Sequence, residues 1–335
     1  MKAIQIGLWR FGRTFREGLT STPGVEVSAI LDHSREALDE GREFYGLASE
    51  KCYSDLYSEW FETSGAEFAV VALPHGDHYD AAMRAFRNGM DVIMVKPLSD
   101  DYDHAVRMVR EAERNGRKLV VAQQLRFHPP VLKLREVVTE GVIGEIVHID
   151  VQAFFGRSGP VRDKWHQDYP LLVEAAIHHL DLVRWITELD AQAVIADSWN
   201  MPWHDDAWGL KSAVGLYEMT NGSRCLFQGL SCESSKGAPY PGRYVIEGTD
   251  GIARLENNRV YVDDTEVTSS AGKEPPGLSL SAYNAEVIRR AVKYFSGESE
   301  TGLDGRENLR SLAMVLGAIE SHETGRRVEL AEWFS

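Results

Sequence analysis

Cysteine is scarce in this chain. Cys52, Cys225 and Cys232 are its only three in 335 residues, an odd number without ligand-like spacing, so neither a disulfide framework nor a zinc site is expected. Basic charge is also short. Lys and Arg number 36 against 51 Asp and Glu, a formal net charge of −15, and the basic stretches "RFGRTFR" and "RNGRK" are brief, so no nucleic-acid partner is expected. No apolar run is long enough to span a bilayer, and no charged-then-apolar leader is seen, so the expectation is a cytoplasmic chain with no membrane partner. What is present is ordinary for a globular protein: 43% hydrophobic and 26% charged residues, in a length that suits two domains.

The first third alternates two patterns. "KAIQIG", "VEVSAILD", "AEFAVVALP", "MDVIMVKP" and "RKLVVAQQ" are apolar strand candidates. Between them, "SREALDEGREFYG", "DHYDAAMRAFRNG" and "DYDHAVRMVREAERNG" carry helix formers or apolar residues at helical spacing. Buried strands alternating with helices imply a parallel sheet covered on both faces, a doubly wound α/β domain over residues 1–122. Ligands bind such sheets at the carboxyl ends of the strands. Those ends are Gly7–Gly12, Asp32, "LPHGDH" (73–78), "VKP" (95–97) and "QQLRFHP" (123–129).

The first of these, "GLWRFG", is nearly G-x-G-x-x-G, the turn that cradles a dinucleotide pyrophosphate. Trp9 stands where the middle glycine belongs. If that position needs a positive φ, a tryptophan costs on the order of 1 kcal/mol or more. If it needs only a short side chain, the indole can turn outwards and lie along the cofactor edge. A modified but usable cradle is expected, formed by Gly7, Trp9, Arg10, Phe11 and Gly12, with Arg10 and Arg13 balancing pyrophosphate charge. Asp32 ends the second strand, where a carboxylate accepts from both ribose hydroxyls of an adenosine and repels the extra phosphate of NADP. Arg35 is placed to stack on adenine or meet a phosphate. NAD is therefore expected in preference to NADP. The alternative is that Asp32 or Ser34 only caps a helix.

From residue 123 the pattern changes. "PPVLKLREVVTEG" reads as an amphipathic helix and "EIVHIDVQAFF" as a long strand. "LLVEAAIHHLDLVRWITE" reads as a largely buried helix. "AQAVIADSW", "LKSAVGLYEMTNGSRCLFQGLSC" and "RYVIEGTDGIARLENNRVYVDD" are strands broken by turn signals. Two helices end the chain. The expectation for 123–335 is an α+β domain with a large, mostly antiparallel open sheet, and "SSAGKEPPGLS" (269–279) as a loop.

The order of these pieces resembles the glucose–fructose oxidoreductase, inositol dehydrogenase and MocA (Gfo/Idh/MocA) family over nearly the whole chain. The glycine turn is "GLWRFG". The Pro-Asn-x-x-His element is "PHGDH", with His75 in the asparagine place. Glu-Lys-Pro is "VKP", so Lys96 and Pro97 match and Val95 departs. Arg-Phe-x-Pro is "RFHP". The Asp-x-Gly-x-His-x-x-Asp signature falls on Glu174, Ala176, His178 and Asp181, and "DYP" (168–170) replaces the usual glycine run before it.

The resemblance implies a Rossmann domain binding NAD(P) and hydride transfer to or from a hydroxyl-bearing carbon of a sugar, inositol or related polyol. It implies Lys96 as the group that stabilises alkoxide character, and His178 as general base in the oxidation direction. Glu174 and Asp181 are expected to flank the histidine ring. Leu73, Pro74, His75, His78, Val95 and Gln124 are expected to border the cofactor. Trp165, His166 and Asp168 would offer an aromatic platform and polar contacts, and Arg126 would bind substrate or cap a helix. Lys96 as a solvated strand-end lysine, and His178 as a packing histidine, are the alternatives. No metal is expected. A homodimer or homotetramer is expected from the open face of the second sheet. Two further functions stay open: an NAD-recycling glycosidase-like enzyme of the same fold, and a non-catalytic ligand-binding paralogue.

Overall fold

The computed structural model describes residues 1–155, 168–201, 209–231, 241–267 and 280–334. They fall into two units, Met1–Gln124 with Leu278–Leu309, and Leu125–Gly277 with Arg310–Ser335.

In the first unit, β1 (Lys2–Ile6), β2 (Glu26–Leu31), β3 (Cys52–Tyr53), β4 (Phe68–Val71), β5 (Asp91–Val95) and β6 (Leu119–Ala122) form one parallel sheet. Its order is β3-β2-β1-β4-β5-β6, which is the dinucleotide-binding order. The apolar runs are the central strands: every residue of β4 and β5 is buried, as expected for strands covered on both faces. Helices α1 (Arg16–Ser21), α2 (Arg35–Tyr45), α3 (Trp60–Thr63), α4 (His78–Arg87) and α5 (Tyr102–Arg114) connect them. Ser34 caps α2 by accepting from the Ala37 amide, and Asp101 caps α5 by accepting from the His104 amide.

The segment Leu278–Leu309, which the sequence reading left with the second domain, packs with this unit. Glycine makes that possible. A Cβ on Gly18 of α1 would stand 2.7 Å from the Ala285 backbone, on the helix Leu280–Phe295.

In the second unit, α6 (Pro129–Thr139), β7 (Ile146–Phe155), α7 (Ile177–Thr187), β8 (Ala191–Trp199), β9 (Ser212–Met219), β10 (Arg224–Ser231), β11 (Arg243–Gly248), β12 (Ile252–Glu256), β13 (Arg259–Val262) and β14 (Thr265–Glu266) follow in order. Then come α8, the helix Leu280–Phe295 of the first unit, α9 (Gly305–Thr324), in which the unit boundary falls, and β15 (Val328–Glu329). The nine-stranded sheet runs β14-β13-β12-β11-β7-β10-β9-β8-β15. It is antiparallel except for β7 with β10. One face is core: Ile149, Val151, Ala153, Cys225, Phe227, Tyr244 and Ile246 pack with Leu134, Leu180, Val183 and other residues of α6 and α7. The "ENNR" turn between β12 and β13 has Asn257 and Asn258 at φ 52° and 60°, the left-handed pair that a tight hairpin demands.

Candidate functional site

The turn after β1 is held by its backbone. Gly7 has φ +84°, and a Cβ there would lie 2.3 Å from the Ala72 carbonyl oxygen. A Cβ on Gly12 would lie 2.2 Å from the Gly7 oxygen. Both positions therefore need glycine. Trp9 does not: its φ is −85° and ψ 157°, ordinary extended backbone, and its ring is turned out, 41% exposed. The positive φ falls on Arg10 instead, at 46°. Residues Arg10–Phe15 then form a 3-10 turn, and α1 begins only at Arg16. The stretch from Gly12 to about Gly18 reads in the sequence as a short helix start, and its first part is this 3-10 turn.

Polar groups that the motif did not reveal fasten this turn. Gln5 is fully buried in β1. Its amide donates to the Gly12 oxygen at 2.7 Å and its Oε1 accepts from Tyr45 at 2.6 Å. A single glutamine inside "KAIQIG" was the visible sign. The Leu8 amide donates to Asp32 Oδ2 at 2.7 Å, and Ser34 N donates to Asp32 Oδ1 at 2.8 Å. Asp32 is thus not the helix cap; Ser34 is. A carboxylate has about four acceptor sites, so these two bonds leave Asp32 able to accept ribose hydroxyls.

At the next strand ends, Lys96 follows β5, half-buried, and the Lys96–Pro97 peptide is cis. His78 is buried behind it. Its Nδ1 meets the Pro97 oxygen at 3.0 Å and the Leu98 oxygen at 3.3 Å, and its Nε2 meets the Leu73 oxygen at 2.9 Å. Burial pulls the His78 pKa down to about 4 against the pull of these carbonyls. The ring clasps two loops together. His75 is buried with Nδ1 3.4 Å from Asp100, and Leu73 and Pro74 lie half-buried before it. Val95 is buried in β5, Phe11 is half-buried, and Arg35 is exposed at the start of α2. Gln124, 1% exposed just after β6, has an Oε1 with no hydrogen-bond partner among the described residues.

In the second unit the side chains hold one another. Glu174 lies in a π-helical turn, Leu171–Ala176, that runs into α7, the kind of irregularity often found at functional sites. The α-helical spacing assumed between Glu174 and His178 is therefore interrupted. His178 and His179 are both buried. His179 Nδ1 meets the Tyr244 hydroxyl at 2.9 Å, and burial lowers its pKa to about 4. Asp181 does not stand as a lone flanking carboxylate. Arg126 forks onto it, Nε to Oδ2 at 2.7 Å and Nη2 to Oδ1 at 2.5 Å, and both side chains are 1% exposed. Ser311 donates to Asp181 Oδ1 at 2.8 Å and accepts from Arg184 at 2.7 Å. Arg184 also pairs with Asp190, as does Arg310. Neither expectation for Arg126, substrate ligand or helix cap, describes these bonds. They join "RFHP" to the histidine helix.

Asp168 is exposed, and its backbone oxygen accepts from Leu210 N. Trp165, His166, and residues 269–279 lie outside the described residues. Among the described residues no group of three or more His, Cys, Asp and Glu is placed to hold a metal, and no helix is long and apolar enough to cross a membrane.

A 3-2-1-4-5-6 parallel sheet with a glycine turn, a strand-end aspartate and a vacant amide acceptor after β6 defines a dinucleotide-binding protein, and these residues fit NAD. Residues 1–123 match the GFO/IDH/MocA model, an oxidoreductase family with an NAD-binding Rossmann fold, and residues 131–254 match the GFO/IDH/MocA C-terminal domain. The chain belongs to this oxidoreductase family. It is 27% identical to a myo-inositol 2-dehydrogenase of Thermotoga maritima, covering 99% of each chain. It is 25% identical to a D-apiose dehydrogenase of Paraburkholderia graminis, covering 98% of this chain and 89% of that one. An oxidoreductase from Agrobacterium radiobacter, solved with NAD+, L-tartaric acid and magnesium, superposes with a TM-score of 0.87 at 22% identity over 99% of both chains.

Proposed function

We propose that this chain is an NAD-dependent dehydrogenase acting on a CH–OH carbon of a sugar, inositol or related polyol. The first unit would bind the dinucleotide and the second the substrate. The observation that carries the reading is the turn at Gly7–Gly12, whose backbone is kept open by two obligatory glycines and gripped by Asp32. Asp32 would read the adenosine ribose, and Gln124 Oε1 would accept from the nicotinamide carboxamide. The names of the inositol and apiose dehydrogenases support the substrate class.

The bound NAD would supply the hydride acceptor. Lys96 would donate to the substrate oxygen and stabilise negative charge as it develops. His178 would take the hydroxyl proton at one ring nitrogen. Asp181 would act at one remove, holding α7 through Arg126. Trp9 would lie along the cofactor edge, with Arg10 beside it.

The test is NADH formation from NAD with a panel of inositols, pentoses and sugar acids. Lys96→Ala and His178→Ala are expected to lower kcat by about 10²–10⁴-fold while NADH binding persists. Wild-type binding of NADH with no turnover of any polyol would point to one of the other two functions.

A homodimer or homotetramer is also proposed. The sheet face opposite α6 and α7 carries a row of paired residues, Ile195, Leu216, Leu226, Asp150 and Val245, in register. Ile195 and Leu216 in it are exposed. Such a face suits a second copy, and a monomer in sedimentation would remove the proposal. The cytoplasmic setting is proposed on the free thiols of Cys52 and Cys225.

A further inference from the structure

Four charged side chains gather on the glycine turn. Asp32 holds the Leu8 amide, and Arg16 reaches the Leu8 carbonyl at 3.4 Å. Glu40, midway along α2, takes Arg16 on one carboxylate oxygen at 2.7 Å and Arg13 on the other at 2.5 Å. The Arg13 guanidinium lies over the Trp9 ring, 4.5 Å from its centroid. Arg16 is buried and faces Phe44. Two guanidinium groups thus share one carboxylate, Glu40, while Asp32 is taken up by the Leu8 and Ser34 amides. The Arg16 hydrogen bond, with Arg13 adding to it, keeps the Glu40 carboxyl below its ordinary pKa, so the clasp is ionised at neutral pH.

Binding of a 2′-phosphate on an adenosine ribose needs an arginine whose fork is free to meet it. Arg13 is half-exposed and stands on the turn itself, the place from which such a fork would come. It is committed instead to Glu40 and to the indole. The other cations nearby are differently placed. Arg10 and Arg35 are exposed, and His33 lies against the Asp32 carboxylate at 3.5 Å.

We propose that Glu40 is a specificity-determining residue of the dinucleotide site. By holding Arg13 against Trp9 it withholds one guanidinium that could meet a 2′-phosphate, leaving Arg35 as the other, and so adds to the preference for NAD over NADP that Asp32 sets. The inference rests on the reading of the turn as the NAD site. It adds a residue on α2, outside the glycine motif and the strand-end aspartate, whose carboxylate acts through an arginine.

The experiment is a titration of wild type, Glu40→Gln, Arg13→Ala and the double variant with NADH and NADPH, followed by nicotinamide fluorescence. Competition by 5′-ADP and by adenosine 2′,5′-bisphosphate isolates the adenosine end. Glu40→Gln is expected to tighten NADPH by about fivefold, the upper scale of one released surface charge, and to move NADH by less than about twofold. The gain should vanish when Arg13→Ala is added. Glu40→Gln with an unchanged NADPH-to-NADH ratio overturns the proposal, as does a gain that survives loss of Arg13. Wild type that binds no NADH overturns the cofactor reading itself, a result separable from the ratio. Arg13→Ala and Glu40→Gln touch exposed side chains, and thermal unfolding of each variant confirms that the fold is kept.

Discussion

The two units hold their functional residues by opposite means. In the first, the turn after β1 is positioned through backbone: glycines where no Cβ fits, and amides and carbonyls bonded to Gln5, Asp32 and Arg16. In the second, the helix that carries His178 is positioned through buried charge, with Arg126, Asp181, Ser311 and Arg184 in one chain of bonds. Backbone grips tolerate a changed side chain, which is why Trp9 can replace a glycine by turning outwards. A buried ion pair tolerates nothing of the kind, because each partner neutralises a charge that water cannot reach.

The largest expected effect follows from that contrast. Arg126→Met leaves the Asp181 carboxylate buried without its fork, and should cost about 3–5 kcal/mol of unfolding free energy. Glu40→Gln, which weakens one ion pair with exposed Arg13 and one with buried Arg16, should cost less, about 1–2 kcal/mol. Urea denaturation of both variants measures the difference. Equal midpoints would mean that the second unit does not rely on its ion pair, and the contrast between the units would fail.

The next effect is one of pH. His78 and His179, one in each unit, are buried, and both have a pKa near 4 against an ordinary 6.5. Between these values the unfolded chain binds protons that the folded chain refuses, so the stability each contributes is full above pH 6.5 and is lost as pH falls towards 4. The loss should reach about 2 kcal/mol per histidine between about pH 7 and pH 5. His78→Gln and His179→Gln should each flatten the slope by about half of the combined amount. If one variant flattens it and the other does not, the carbonyl clasp around His78 and the tyrosine contact of His179 differ in how they meet a proton.

Smaller still is the backbone test. Gly7→Ala forces a side chain into a φ of +84° and against the Ala72 oxygen, with an expected cost of about 1–3 kcal/mol and a matching loss of NADH affinity. Trp9→Gly should leave stability within about 1 kcal/mol, because Trp9 is unstrained. Thermal melts of the two variants order them. A Trp9→Gly protein less stable than Gly7→Ala would mean that the indole, not the glycine backbone, holds the turn.

This asymmetry also explains what could be read from sequence. The parallel sheet was legible because buried strands leave uninterrupted apolar runs such as "AEFAVVALP", and the glycine turn because only glycine fits at Gly7 and Gly12. The second sheet was legible from its turn signals. The ion network was not, since Arg126 and Asp181 lie 55 positions apart and Ser311 lies 130 from Asp181. Nothing local marks an arginine as destined for burial. The same holds for Glu40, one acidic residue among many on a charged helix, and for Leu278–Leu309, whose return to the first unit rests on Gly18 and Ala285 meeting closely. The π-helical turn at Glu174 was hidden because apolar periodicity cannot distinguish it from an α-helix.

The smallest effect separates two residues that the sequence left interchangeable. Asp32 and Ser34 each suit the start of α2. The structure gives the cap to Ser34, whose Oγ accepts from Ala37 N at 3.3 Å, and gives Asp32 to the turn, on Leu8 N. Ser34→Ala should therefore cost about 0.5–1 kcal/mol, the low end for a cap at this long distance, and leave NADH affinity unchanged. Asp32→Asn keeps an acceptor for one amide but loses the charge that ribose hydroxyls favour, and should weaken NADH by about tenfold or more. Isothermal titration with NADH and a thermal melt, run on both variants, decide the matter. Were Ser34→Ala to lose cofactor and Asp32→Asn to keep it, the cap and the ribose reader would have to change places, and the backbone grip on the turn would no longer be what prepares it for a dinucleotide.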